Sequence, residues 1–423
     1  MNILGLVDYH IFTIDETEHD FHIQAELITS PSCCAHCGHT KLHRHEVKSQ
    51  LYLDIPMRKK RVGILVKRRR YLCLRCHRTF FEKLPHMHEY HFMTERLVNY
   101  VQTEALHRTF ASIAKDTGLV EGTIRLLFAE YTAKVEPRFP VTSPFYLGID
   151  ELYLLNQYRC VISDVANRQI VDLLRDRRKA TVISYLQNLP VEIRKQIRVV
   201  CTDMWAGYHD AVREVLPHAT LVVDKFHVIK LLSGCLEYTR KQVRKSLTDK
   251  QRRTLMHDKY LLLRRAHDLE EHEKLIVEAW LLNFPCLQIA YELKESFYEV
   301  YDAQSKEAAL QRYFTWFDRI TRDVYENFLP FTQAIEYHGD AIFNYFDYRY
   351  TAGYTESLNG LMKLLAREGR GFSFEVIRAK VLLTNGLRKE MRPGYDKAWD
   401  GTSEEALTVD QSLDQHFSMV PLD

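Results

Sequence analysis

Three aspartates follow short apolar runs, at positions where a buried strand would end. Asp150 closes FYLGID, Asp203 closes RVVCTD and Asp224 closes ATLVVD. A buried carboxylate is costly unless a positive group or a metal ion meets it. If the strands that carry Asp150 and Asp203 are neighbours in a sheet, their carboxylates lie side by side and divalent cations can neutralise both.

A third acid could complete this site from a helix. Glu356 lies in TAGYTESLNGLMKLLAREGRGF, where helical spacing puts Glu356, Asn359 and Lys363 on one face. Three carboxylates suit two Mg²⁺ ions about 4 Å apart, which activate the attacking oxygen and stabilise the leaving oxygen in phosphodiester displacement. Asp224 competes with Asp203 for the second position, although the KFHV that follows it is more typical of a strand–helix junction. Taken singly, each acid could be no more than a cap or turn residue.

Four cysteines form two pairs with the spacing of metal-binding knuckles. Cys34 and Cys37 lie in CCAHCG, and Cys73 and Cys76 lie in CLRCH. Two such knuckles complete a tetrahedral thiolate site for a structural Zn²⁺, and the strand-like segment between them predicts a zinc ribbon. The alternative is a core with four reduced cysteines. The choice of ligands stays open to five neighbouring residues: Cys33, His36, His39, His43 and His45.

The segment between the two cysteine pairs is strongly basic. From 41 to 80 it holds thirteen Lys and Arg residues against Glu46 and Asp54. Two basic clusters lie on either side of the apolar VGILV and predict a hairpin that presents a cationic surface to nucleic acid, the alternative being a solvated face. The predicted contact residues are Arg58, Lys59, Lys60, Arg61, Lys67, Arg68, Arg69 and Arg70.

The stretch from Phe110 to Tyr131 predicts two helices joined by a tight turn. Gly118 can adopt the positive φ that such a turn needs. The pattern resembles a helix-turn-helix, with Thr123 and Arg125 near the start of the helix that would read DNA. Any pair of antiparallel helices can look similar. The PRFPVTSP that follows, 137–144, predicts a linker.

Composition places the chain among globular proteins. It has 423 residues, of which 46% are hydrophobic, and a formal net charge of +2. No apolar run reaches the roughly 20 residues of a membrane span, and the first residues do not resemble a secretion signal. Nine cysteines, in two close clusters and four scattered positions, fit reduced thiols and a metal site better than a disulfide framework. We therefore expect a soluble, cytoplasmic protein.

The periodicity predicts several domains. Three strands, then a helix over 179–188, a fourth strand, a helix over about 206–215 and a fifth strand indicate a mixed α/β sheet. A charged, aromatic-rich helical region follows from about 230 to 337, and further helices begin after it. We predict a zinc-ribbon module at 1–85, a helical domain at 86–140, an α/β core at 141–229 and 341–423, and a helical insertion at 230–340.

A family resemblance joins these features. The run TDMWAGYHDAVREVLPHATLVVDKFHVIKLL resembles the central block of bacterial insertion-sequence transposases of the ISL-three family. The later TESLNGLMKLLAREGRGF resembles the family's Glu-x-x-Asn-x-x-x-Lys motif and the basic residue and glycine after it. The two cysteine pairs, the helix pair and GIDE occur in the family's order. Two departures are the apolar Leu361–Met362 and the extra Cys33 beside the first knuckle.

The resemblance implies a DDE transposase with a ribonuclease-H-like core, interrupted by the helical insertion. It assigns the catalytic acids to Asp150, Asp203 and Glu356, which would hold two Mg²⁺ ions, with Mn²⁺ as a substitute. The partners would be double-stranded DNA, at the element's terminal inverted repeats and at the target, and a second copy of the chain. Lys363 and Arg367, downstream on the glutamate helix, would contact backbone phosphates. We expect a bacterial protein that associates with the nucleoid when bound to DNA.

Two other functions compete with this one. A sequence-specific regulator on a transposase scaffold would bind the repeats without cleaving them. A nuclease or resolvase with the same core would cut DNA without joining strands.

Overall fold

The computed structural model describes residues 5–136, 144–351 and 353–385. An N-terminal sheet, a group of three helices, a second sheet and a large helical region follow one another along the chain. The predicted linker lies almost wholly outside the described residues, and so does the chain from 386 onwards. None of the described helices is long and apolar enough to cross a membrane.

The N-terminal sheet has five strands in the order β1-β2-β4-β3, and β5 pairs with the second half of β4. Their bounds are β1 Tyr9–Glu16, β2 Asp20–Leu27, β3 Leu42–Met57, β4 Lys60–Cys73 and β5 Thr79–Phe81. The predicted hairpin is β3–β4. Its two turn residues, Arg58 and Lys59, have φ of 53° and 65°, as a two-residue hairpin turn of this kind requires. The sheet has a hydrophobic core of its own.

Three helices connect this sheet to the second one. They are α1 Glu95–His107, α2 Phe110–Thr117 and α3 Glu121–Val135. Gly118 ends α2 with a φ of 77°, which a residue with a side chain adopts only at a cost. The first turn of α1 is tied to the N-terminal sheet through Asp54, which accepts hydrogen bonds from Thr94 Oγ1 and Arg96 Nε at 2.6 and 2.7 Å.

The second sheet has the order β10-β9-β6-β7-β8. Strands β6, β7 and β8 form an antiparallel meander, and β9 and β10 extend it parallel to β6. The elements of this region are β6 Tyr146–Leu154, β7 Gln157–Asp164, β8 Gln169–Leu174, α4 Lys179–Asn188, α5 Val191–Gln196, β9 Val199–Thr202, α6 Ala206–Val215 and β10 Thr220–Val223. The expected neighbours, the strands that lead to Asp150 and Asp203, are adjacent in the structure.

Helices cover both faces of this sheet. One face, which includes Leu147 and Ile149, packs against α4, α6 and the helices that follow β10. The other, which includes Leu152 and Val161, packs against α1–α3 and the last two helices. The helices that follow β10, of which α15 and α16 are the last two, are α7 Lys225–Lys245, α8 Asp249–His257, α9 Lys259–Leu263, α10 Glu271–Asn283, α11 Pro285–Tyr301, α12 Lys306–Phe317, α13 Arg322–Phe343, α14 Tyr345–Tyr348, α15 Gly353–Glu368 and α16 Phe374–Leu383.

Candidate active site

Three aspartates lie at one level of the sheet, one on or after each of three parallel strands. Thr202 of β9 is in register with Ile149 of β6 on one side and with Val223 of β10 on the other. The residues that follow these three in the chain are Asp203 after β9, Asp150 in β6 and Asp224 after β10. Because parallel strands end at the same edge of a sheet, the topology brings together acids that are 74 positions apart along the chain.

Asp150 is buried, and its surroundings perturb its carboxylate. It is 7% exposed and accepts hydrogen bonds from the Asn359 side chain and the Glu151 backbone N–H, both at 2.8 Å. The Nε2 atom of His227 lies 3.6 Å from its carboxylate. Burial raises the pKa of Asp150 to about 6; His227 and Asn359 oppose this rise, while Asp203 and Asp224 add to it. The group therefore carries negative charge that its protein neighbours compensate only in part.

Asp203 is held by the backbone around it. Its Oδ1 accepts the backbone N–H of Trp205 at 2.9 Å, just before α6 begins. Its carbonyl oxygen accepts from Thr202 Oγ1 at 2.7 Å and from His209 Nε2 at 2.9 Å. These bonds leave Oδ2 available to a cation and fix the main chain that carries it.

Asp224 has a different position from Asp203. It is 3% exposed and forms the N-cap of α7, where its side chain accepts the backbone N–H of Phe226 at 3.2 Å. This is the strand–helix junction that the sequence indicated. The capped end of α7 also presents His227 to Asp150, and the positive end of a helix dipole favours negative charge nearby.

Glu356 lies on α15, which packs on β6 immediately above these acids. Thr355 Oγ1 and Ser163 Oγ are 2.7 Å apart and buried. A Cβ on Gly148 would come within 2.4 Å of Ser163 Oγ and 3.3 Å of Thr355 Oγ1, so the absence of a side chain lets α15 approach. Three residues beyond Glu356, Asn359 reaches Asp150. The Glu356 side chain itself is exposed, one helical turn from that contact.

The four predicted cysteines are gathered at the end of the β3–β4 hairpin. Their Sγ atoms all lie within 4.8 Å of one another. The Cys34–Cys76 and Cys37–Cys73 sulfur pairs are 3.8 and 3.6 Å apart. Tetrahedral zinc with Zn–S bonds of about 2.3 Å requires sulfurs about 3.8 Å apart, so this set fits the ion. Over the described residues, no other group of three or more His, Cys, Asp or Glu side chains is gathered so closely.

Comparisons with known proteins identify the family of the chain and its cysteine-containing module. Residues 147–381, more than half of the chain, match a family model described as transposase, of the DDE type and ISL3 group. Residues 30–76 match the zinc-finger of the transposases IS204, IS1001, IS1096 and IS1165. The chain belongs to the ISL-three family of transposases.

Two similar curated proteins are also transposases of insertion sequence elements. The transposase for insertion sequence element IS1001 from Bordetella parapertussis is 24% identical over 80% of this chain and 85% of its own length. The transposase for insertion sequence element IS1557 from Mycobacterium tuberculosis is 27% identical over 59% of this chain and 62% of its own length. The four clustered cysteines of this transposase thus form the zinc ribbon of its family.

The first basic cluster of the transposase lies at the hairpin turn. Arg58 and Lys59 are exposed at its tip. Lys60 pairs with Glu16 at 2.7 Å, and Arg61 pairs with Asp20 at 2.6 Å while its side chain packs beside Gly118. The turn therefore presents two exposed cations next to α2.

The second basic cluster divides between surface and interior. Lys67 is exposed over the ring of Phe12, and Arg68 and Arg70 are half-buried. Arg69 is 8% exposed, pairs with Glu82 at 2.8 Å and donates to the backbone oxygens of Leu27 and Thr29. The structure thus makes Arg69 part of the interior of the ribbon sheet, where it cannot reach a DNA backbone. Arg69 was predicted to contact DNA with its three neighbours in the run, and its burial and its pairing with Glu82 do not support that contact.

The other predicted contact residues lie on helices. Thr123 is half-buried on α3, and Arg125 is exposed with its guanidinium 5.4 Å from the Phe110 ring. Lys363 and Arg367 are exposed on α15, beyond Glu356.

Three residues near the acids were not among the predicted site residues. His227, His209 and Asn359 contact Asp150 or the Asp203 backbone. The spacing that placed Asn359 on the Glu356 face was visible in the sequence, and His227 follows Asp224 by one turn of helix. The contact between His209 and Asp203 depends on how α6 turns back, which no local pattern specifies.

Proposed function

We propose that this transposase cleaves DNA at the terminal inverted repeats of its insertion sequence and joins the freed ends to target DNA, using Asp150, Asp203 and Glu356. The observation that carries the proposal is the placement of Asp150 and Asp203 on adjacent parallel strands, beneath the helix that bears Glu356. The sheet would be the ribonuclease-H-like core that the resemblance implies.

The donor set fits hard divalent cations. All three side chains offer carboxylate oxygens, which Mg²⁺ prefers, and the raised pKa of Asp150 marks charge that a cation would compensate. When bound, Mg²⁺ would supply charge neutralisation at the reacting phosphate. Asn359 and the Glu151 N–H fix the orientation of the Asp150 carboxylate, and the Trp205 N–H does the same for Asp203.

The reaction has two displacements at phosphorus. In cleavage, water attacks the phosphodiester, the P–O3′ bond breaks, and the products are a 3′-hydroxyl and a 5′-phosphate. In joining, that 3′-hydroxyl attacks a target phosphodiester and displaces the target's own 3′-oxygen, which takes up the proton. The chain contributes position and charge, and no covalent enzyme intermediate is needed.

DNA would be held by two elements on the N-terminal side. The hairpin turn with Arg58 and Lys59 would contact phosphates, and α2–α3 would act as a helix-turn-helix with Thr123 and Arg125 near the bases. Lys363 and Arg367 would contact the backbone near the reacting phosphate. Two copies of the chain would pair the two ends of the element.

A nicking and joining assay tests the proposal. End-labelled repeat duplexes are incubated with Mg²⁺ and either the wild type, Asp203→Asn or the matched control Asp318→Asn, which changes an exposed aspartate after α12. We expect Asp203→Asn to bind DNA but to cleave at least about a hundredfold more slowly, since even an outer-sphere partner of a metal is worth up to that factor. The control should cleave like the wild type.

Other outcomes would contradict the proposal. Binding without cleavage by the wild type, with paired ends supplied, would identify a regulator. Cleavage without joining would identify a nuclease. Undiminished cleavage by Asp203→Asn would remove the proposed site.

A further inference from the structure

One face of α7 is exposed and begins at the active site. His227, in the first turn, lies 3.6 Å from Asp150. At about 100° per residue, five later residues lie within roughly 80° of arc around the direction of His227. They are Lys230, Gly234, Tyr238, Lys241 and Lys245, and all five are exposed.

The orientation of α7 is fixed by its opposite face. Val228, Leu232, Cys235 and Leu236 are buried in the core that covers the second sheet. The helix therefore cannot turn its exposed stripe inward without losing that packing. The stripe forms a continuous outer edge that leads away from the acids.

The far end of the stripe opens into a basic concavity of about 340 Å³. Lys241, Arg244, Lys245 and Arg252 line it. The Arg252 side chain donates to the backbone oxygens of Arg244 and Lys245, both at 3.2 Å, so its guanidinium is held in place. We call this the α7–α8 basic pocket.

Acidic groups near the α7–α8 basic pocket offset its charge only in part. Glu237 forms two 2.7 Å hydrogen bonds with Arg240 and lies 3.9 Å from Lys241. Asp249 lies 3.6 Å from Arg252 and is itself exposed. Four lining cations against these two acids, one of them committed to Arg240, leave a site for an anion.

The stripe suits an extended polyanion rather than a small one. Gly234 lies midway, and a Cβ there would meet nothing within 4 Å, so a backbone could approach α7 closely. Lys230 precedes it and Lys241 follows it. Positive charge thus continues from the active site to the pocket along one helix.

We propose that the exposed face of α7 carries double-stranded DNA from the active site to the α7–α8 basic pocket, which grips its phosphates. With a rise of about 1.5 Å per residue, Lys241 and Lys245 lie about 26 and 32 Å from Asp224. At about 3.4 Å per base pair, the pocket contacts DNA about eight or nine base pairs from the cleaved bond. This inference rests on the proposed function, because it takes the acids as the point of cleavage.

The salt dependence of DNA binding tests the inference. Lys241→Gln/Lys245→Gln removes two charges from the stripe, and Arg319→Gln/Arg322→Gln removes two exposed charges elsewhere in the helical region. Each phosphate contact contributes about 0.9 to the slope of log affinity against log salt. We expect the stripe variant to lower that slope by about 1.8 and the control to leave it unchanged.

Shortened duplexes locate the contact. The wild type and the stripe variant are compared on repeat duplexes in which the DNA on one side of the cleavage position, or on both, is cut to six base pairs. Their difference in slope should disappear when the DNA that follows α7 no longer reaches the pocket. A difference that persists when both sides are shortened would overturn the inference.

A second variant separates binding from folding. Gly234→Glu places a carboxylate in open space on the stripe and improves helix propensity. It should weaken DNA binding while chemical denaturation shows equal or greater stability. If the wild type binds and cleaves DNA but both stripe variants behave like the control, only the inference about α7 fails. If the wild type binds no repeat duplex at all, the proposed function fails.

Discussion

Asp150→Asn should stabilise the metal-free protein while it removes cleavage activity. The carboxylate is almost fully buried beside two other aspartates, and burial is the largest cause of its raised pKa. The amide of the variant has nearly the same shape, but its single oxygen can accept only one of the two hydrogen bonds that the carboxylate accepts, either from Asn359 or from the Glu151 N–H. The substitution therefore removes an unfavourable charge without opening a cavity.

The size of the effect follows from the pKa. In the folded protein the pKa of Asp150 is about 6, against 3.8 for an unperturbed carboxyl group. At about 1.4 kcal/mol per pH unit, keeping the group ionised in the fold costs about 3 kcal/mol at pH 8. Because the pKa is raised, the cost is complete above pH 6 and declines as pH falls towards 3.8. By pH 4 it should be about 0.5 kcal/mol.

Urea denaturation of the wild type and Asp150→Asn in EDTA measures this cost. We expect the variant to be more stable by about 3 kcal/mol at pH 8 and by much less at pH 4. Added Mg²⁺ should stabilise only the wild type, by about 2.7 kcal/mol when its free concentration is a hundred times Kd. The advantage of the variant in EDTA should then largely disappear.

Two results would refute this reasoning. Equal stabilities of the wild type and the variant in EDTA at pH 8 would show that the ionised carboxylate of Asp150 does not destabilise the fold. An equal response of both proteins to Mg²⁺ would show that the ion binds elsewhere.

Two further predictions concern the supports of the two centres. Gly148→Ala should push α15 away from β6 and slow cleavage by about a hundredfold with DNA binding retained, because misplacement of reacting groups by about 1 Å can cost that much. The control Gly360→Ala, where an added Cβ would meet nothing within 4 Å, should cleave normally. Normal cleavage by both variants would contradict the role of Gly148. Zinc chelation, or Cys73→Ser, should disorder the ribbon and weaken DNA binding. The denaturation of the second sheet, followed by circular dichroism, should stay unchanged. A metal-to-protein ratio near zero in the purified wild type would contradict the prediction of a structural zinc ion.

Local patterns were sufficient to predict most of the second sheet and its helices. The apolar runs ending in acids are strands or strand ends, and the helix predicted over 179–188 is α4. Helix α6 likewise occupies the range predicted for it. Buried strands and amphipathic helices have periodicities that survive without tertiary information. The adjacency of β6 and β9 could be stated only as a condition, because it depends on topology.

Side-chain roles that depend on distant partners could not be predicted. Arg69 lies in a run of four cations, and its burial follows from Glu82, thirteen positions away across β5. Buried and exposed positions do not alternate simply along β4, because Val66 and Arg69 are both buried with two residues between them, so the sequence does not tell which cations face outward. The bond from Asn359 to Asp150 likewise spans 209 positions, so no local pattern specifies it.

The packing of α1–α3 bears on how the proposed DNA contacts would be positioned. These helices share one core with α15, α16 and the second sheet, so they are not a module on a loose tether. Lys380 of α16 is fully buried and donates to the backbone oxygens of Ala105, Leu106 and Arg108, at the end of α1. Losing this lysine would leave terminal carbonyls of α1 buried without donors, a costly arrangement. DNA held by α3 would therefore be held in a fixed relation to the helix that carries Glu356, and binding energy would serve to position the reacting phosphate.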